Sequence, residues 1–118
     1  MFIPGANRRA DYQKTASGAQ TALVAADAAN DRNVIIVVTV VETFANGSGG
    51  QPTFKIGETG STSKFAATSE FTGLTAGDKR VYAGKLSATK ELLITAVAAT
   101  GTGTGGINVK VCTFPLGL

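Results

Sequence analysis

The sequence predicts an all-β fold: an antiparallel β-sandwich, jelly-roll-like, with an extended N-terminal arm. Three observations carry the prediction. From residue 33 to 111 short apolar runs alternate with Gly-rich turns, at the roughly ten-residue spacing of a sandwich or barrel. Residues 34–41 read Val-Ile-Ile-Val-Val-Thr-Val-Val, and β-branched side chains, stiff at χ1, suit a pleated sheet better than a helix. Near the end, Ile107, Val109 and Val111 alternate with Asn108, Lys110 and Cys112, the period of a strand with one buried face. An immunoglobulin-like sandwich would leave a similar pattern, so strand order stays open.

In chain order, residues 1–18 form the arm and residues 19–118 the single sandwich domain. The arm lacks periodicity and mixes Pro4, Gly5, Asn7, Arg8, Arg9, Asp11 and Lys14; a loose terminal tail is the alternative. Residues 21–26 fit a first strand or, within the Ala-rich stretch 19–29, a short helix, and periodicity does not separate the two. Residues 34–41 are apolar on both faces. They predict a central strand covered on two sides, by a second sheet or by a neighbouring subunit. Asn46-Gly47-Ser48-Gly49-Gly50 breaks it as a loop. Residues 53–57 predict a short strand with Phe54 and Ile56 on one side and Lys55 on the other, followed by a turn over 58–63. The segment between Phe65 and Phe71 has no assignment. Gly77-Asp78 precedes a strand over 80–86, residues 88–90 precede one over 91–98, and the last strand runs from Ile107 to about Phe114.

Composition narrows the function classes. At 118 residues the chain supports one core. It has no His, no Trp and one Cys, which removes the usual catalytic and metal-binding groups and any internal disulfide. Only 16% of residues are charged, against roughly 25% in an average soluble domain. A surface so poor in charge predicts cover from further copies or a partner. The net charge of +3 is dispersed, without the clustered basic face that nucleic-acid binding needs. The start carries Arg8 and Arg9 but no apolar run after them, so no secretory signal is expected. The eight residues 34–41 fall far short of the ~20 of a membrane helix. A soluble protein made in the cytoplasm is expected.

The motifs mostly fail on context. Residues 101–106, Gly-Thr-Gly-Thr-Gly-Gly, match G-x-G-x-x-G. They open a strand, however, and a dinucleotide site needs a helix N-terminus facing the pyrophosphate. Residues 57–64 lack the Gly-Lys-Ser/Thr core of a phosphate loop. Cys112 has no His to activate it and is expected to be a buried structural thiol. Glu42, Glu58, Glu70, Asp78 and Glu91 are scattered, most of them by turns where carboxylates are solvated. With only Tyr12 and Tyr82 beside the phenylalanines, no stacking platform for sugars is evident.

The segment Val-Val-Glu-Thr-Phe-Ala-Asn-Gly over 40–47 continues through Gln-Pro-Thr-Phe-Lys-Ile-Gly-Glu-Thr-Gly over 51–60. With Leu-Leu-Ile-Thr-Ala at 92–96, Ala-Ala-Thr-Gly-Thr-Gly at 98–103 and the final alternating strand, it resembles a pattern of small tailed-phage and prophage virion proteins. The resemblance covers about residues 34 to 112 and is closest to capsid decoration, or cement, proteins. It implies a small sandwich or jelly roll, often trimeric, that sits where capsid subunits meet and reinforces the shell without enzymatic activity. It further implies the major capsid protein and copies of itself as partners, a place on the virion surface, and no cofactor, metal, nucleic acid or membrane. On that reading Phe2, Ile3, Arg8, Arg9 and Tyr12 of the arm dock on the shell or a neighbour. The oligomer interface is expected at Val34, Ile36, Val38, Leu92 and Ile94, because these runs hold more apolar side chains than one thin core needs. Two alternatives are a virion-displayed glycan-binding module using loops 46–50 and 101–106, and a small tail or head-completion subunit.

Overall fold

The computed structural model describes residues 3–11, 20–24, 26, 30–45, 47, 53–68, 73–97 and 103–115. Eight strands follow one another: β1 (Ile3–Asp11), β2 (Gln20–Val24), β3 (Arg32–Ala45), β4 (Thr53–Glu58), β5 (Ser61–Ala66), β6 (Lys79–Leu86), β7 (Leu92–Val97) and β8 (Thr104–Pro115). They form two four-stranded sheets, β1-β8-β3-β6 and β2-β7-β4-β5, and every pairing is antiparallel. The pairings are nested: first strand with eighth, second with seventh, third with sixth, fourth with fifth. The predicted all-β sandwich is what the chain forms.

The β-branched run sits where its side chains are best used. β3 is an inner strand of the first sheet, with β6 on one side and β8 on the other. Its even-numbered residues Val34, Ile36, Val38 and Val40 are at most 1% exposed. Across the ladder Val34 opposes Thr113, and Ile36, Val38 and Val40 oppose Val111, Val109 and Ile107 of β8. From the second sheet come Phe54 and Ile56 of β4 and Leu92 and Ile94 of β7, all in the same core. Phe44 meets Phe54 edge-to-face with centroids 6.1 Å apart, which closes one end of the core. Each fully buried side chain of this size contributes roughly 1.5–3 kcal/mol, so the inward residues of β3 are a main source of stability.

Two glycines permit close approach. A Cβ on Gly84 of β6 would come within 2.8 Å of the Phe65 ring, so the missing side chain lets that ring lie against the strand. A Cβ on Gly57 would collide with the Ser61 carbonyl in the backbone of β5. The β4–β5 turn is only Thr59-Gly60, with Gly60 at φ +82°.

The first strand falls inside the segment expected to be an arm. Residues 3–11 are extended, but they are the edge strand of the first sheet, paired with β8 from Ile3↔Thr113 to Asp11↔Gly106. Pro4 is compatible with that place, since an edge strand and its register shift after Pro4 tolerate a residue without an N–H. The sandwich therefore takes in residues that precede position 19.

Candidate functional site

The residues expected at an oligomer interface lie in the core of the single chain. Val34, Ile36, Val38 and Leu92 are at most 1% exposed and Ile94 is 4% exposed. All five pack between the two sheets, which leaves nothing of them for a neighbour. Of the expected arm contacts, Ile3, Arg8 and Arg9 occupy β1 opposite Thr113, Val109 and Asn108. Phe2 and Tyr12 lie outside the described residues, as do most of the two glycine-rich loops, 46 and 48–50 in the first and 101–102 in the second. Cys112 is a free thiol, half-buried instead of buried, because it falls on the outward register of β8.

That outward register defines a surface. Opposite one another across β6, β3 and β8 stand Lys85, Asn33 and Phe114; then Ala83, Ile35 and Cys112; then Val81, Val37 and Lys110; then Lys79, Thr39 and Asn108. The four β3 residues are half-buried, on the face turned away from the second sheet. Val81 is 64% exposed. The β6 and β3 positions in the middle of the face are thus aliphatic, with Lys110 beside Val37 on β8 and Lys79 and Lys85 at the two ends of β6. Lys85 lies 3.3 Å from Asp31, whereas Lys79 and Lys110 make no ion pair among the described residues.

The chemistry-bearing side chains gather at one end of the sandwich. Glu58, at the end of β4, is 7% exposed. It accepts hydrogen bonds from the Ser87 amide (3.0 Å) and the Ser87 hydroxyl (3.0 Å) and lies 3.1 Å from Lys64 Nζ. Burial pushes its carboxyl up, but the Ser87 amide, the Lys64 ammonium and the Ser87 hydroxyl outweigh that and hold it below the ordinary carboxylate value. A carboxylate so stabilised is a weaker proton acceptor, the reverse of what a general base at neutral pH requires.

Around it the Ala88 amide donates to Asp31 at 2.7 Å, which with Lys85 keeps the Asp31 carboxyl low as well. Thr59 and Glu91 exchange hydrogen bonds at 3.1 Å. This network joins both sheets beside Thr89, whose φ of +66° is a backbone state costing about 1–2 kcal/mol. The cluster is a clasp for the β6–β7 connection. Elsewhere Asp78 receives the Thr75 amide within its own loop at 2.9 Å. No group of three or more metal-ligating residues occurs among the described residues, and Thr104–Pro115 is a strand, so the second glycine-rich loop does not open a helix.

Sequence reasoning missed both features for identifiable reasons. The alternation in β3 marks two apolar faces but not which one turns inward. Glu58 is set apart only by its place at the end of an apolar strand.

No protein-family model and no curated protein matches the chain. Two solved structures are similar in fold. A chain of the capsid asymmetric unit of cyanophage Pam1 superposes with a TM-score of 0.62 at 10% identity, over 97% of this chain and 85% of that one. A chain from the acid-stable capsid of the Helicobacter pylori bacteriophage KHP30 superposes with a TM-score of 0.58 at 13% identity, over 98% and 93%. At such identities the likeness is one of fold.

Proposed function

We propose that this chain is a non-enzymatic structural protein of a phage virion, bound to the outside of the capsid shell as a decoration, or cement, protein and assembled as a trimer. The nested strand order is read as a jelly roll, the two-sheet arrangement that capsid-associated domains commonly use. One observation carries the proposal: both matched chains come from phage capsids, and the superpositions span nearly all of each partner. The matched chains are therefore of about this size. The absence of His and the clasp-like use of Glu58, the most buried carboxylate described, agree with a structural role.

The mechanism is adhesive. The major capsid protein is the partner, and neither nucleic acid nor membrane takes part. A trimer on a threefold position touches several shell subunits at once. Each further contact then forms at an effective concentration near the millimolar range, so modest contacts sum to a durable attachment. Because the protein binds the assembled shell and not its separated subunits, occupancy stabilises assembly. At a hundredfold excess over Kd the gain is about 2.7 kcal/mol per site. The N-terminal segment with Phe2, Ile3, Arg8, Arg9 and Tyr12 supplies a second contact in this proposal.

The test is the mass of the purified protein by light scattering, followed by co-sedimentation with shells that lack it. A trimer that pellets with shells is expected. A protein that stays in the supernatant overturns the reading, and a stable monomer or larger ring that still pellets overturns the trimer alone.

A further inference from the structure

We infer that the outer face of the first sheet docks on an apolar protein surface bordered by acidic residues, and that this surface belongs to the shell and not to another copy of the chain. The inference rests on the capsid-binding reading and adds which face binds and to what chemistry. The face holds an aliphatic row that the fold does not use: Val81 beside Val37, and Ala83 beside Ile35. Val81 matters most, because it is 64% exposed on an edge strand whose exposed residues otherwise include Lys79, Arg80 and Lys85. Val81 continues into Val37 beside it, and a contiguous apolar patch bordered by polar residues suits the dry centre of a contact.

The border decides the partner. Lys110 stands beside Val37 in the same rung as Val81, Lys79 lies two residues from Val81 on β6, and neither has a counter-ion among the described residues. A carboxylate-bearing partner would complete both. Two copies packed face to face would instead set these lysines against a face on which none of the residues named above is a carboxylate, and like charges in a drying contact oppose association. Edge-to-edge pairing through β6 is discouraged too, since lysine-rich edges resist strand addition. The approach left open is face-on, by a surface of opposite charge.

The experiment compares co-sedimentation of wild type, Val81→Asp and the double variant Lys79→Glu/Lys110→Glu with shells lacking the protein. Lys55→Glu, on the second sheet, serves as control. Thermal melting verifies that each is folded, and light scattering gives its mass. Val81→Asp is expected to bind at least about tenfold more weakly, as a central contact residue should, at unchanged mass. The double charge reversal is expected to weaken binding clearly at about 0.1 M ionic strength, with the difference from wild type shrinking toward 1 M. Lys55→Glu should bind as wild type does. Normal binding by the folded Val81→Asp and double variants overturns the face assignment while leaving the capsid reading intact. A fall in mass for Val81→Asp overturns it in favour of contact between copies. Wild type that ignores the shells defeats the capsid reading and the face assignment with it.

Discussion

The two faces of β3 carry nearly the same side chains and have different fates. Inward, Val34, Ile36, Val38 and Val40 are sealed between the sheets. Outward, Ile35, Val37 and Thr39 alternate with them, half-buried and turned away from the second sheet. The inward set specifies the fold, because every one of its members meets a partner from β8, β4 or β7. The outward set is more apolar than an open sheet face requires, which makes it the part of the strand that folding alone does not explain.

The comparison breaks first at its strongest point. Ile36→Ala should lower the unfolding free energy by about 2–5 kcal/mol, read by urea denaturation, whereas Val37→Ala one residue away should change it by under about 1 kcal/mol. Equal losses at the two positions would mean that the outward face is also sealed within the chain.

Next in size is the polar clasp, which sits on the inward register of β4 and so tests whether inward position or apolar character sets the cost. Glu58→Ala leaves the Ser87 amide without its acceptor and should cost about 1–3 kcal/mol. The clasp also predicts a pH dependence. Because folding holds the Glu58 carboxyl low, its contribution is present above the unfolded-chain value of 4.5 and is lost as pH falls through the depressed folded value. Wild type should therefore lose stability below pH 4.5 more steeply than Glu58→Gln, as followed by denaturation midpoints across an acid series. Parallel curves would remove Glu58 from the account.

The smallest expected effect on stability is on the outward face. Val81→Asp should shift the melting temperature by only a few degrees, within about 0.5 kcal/mol, although binding to shells falls. Wholesale unfolding of this variant would show that Val81 supports the fold itself.

How far the sequence could be read follows the same division. β3, β4, β6, β7 and β8 are legible because apolar runs and turn residues agree in them. β1 is hidden because Ile-Pro-Gly-Ala-Asn-Arg-Arg-Ala-Asp has no alternation; its pairing with β8 supplies what local propensity does not. β5 is hidden because Ser-Thr-Ser-Lys-Phe-Ala buries little beyond Phe65 and Ala66 and depends on the two-residue turn from β4. The candidate interface is legible as surplus apolar character but not in its parity. In β3 a shift of one residue exchanges core for surface, and Val34, Ile36 and Val38 proved to be the inward set. The Glu58 clasp was out of reach because its partners Lys64 and Ser87 come from other turns of the chain.

The most direct test of the account is an electron cryo-microscopy map of shells reconstituted with the protein, resolved well enough to orient the two sheets. Ordered density is expected on the shell surface, with the outer face of the β1-β8-β3-β6 sheet against the shell and Val81 within the contact. Density with that face turned to solvent, or shells carrying no such density, would contradict it.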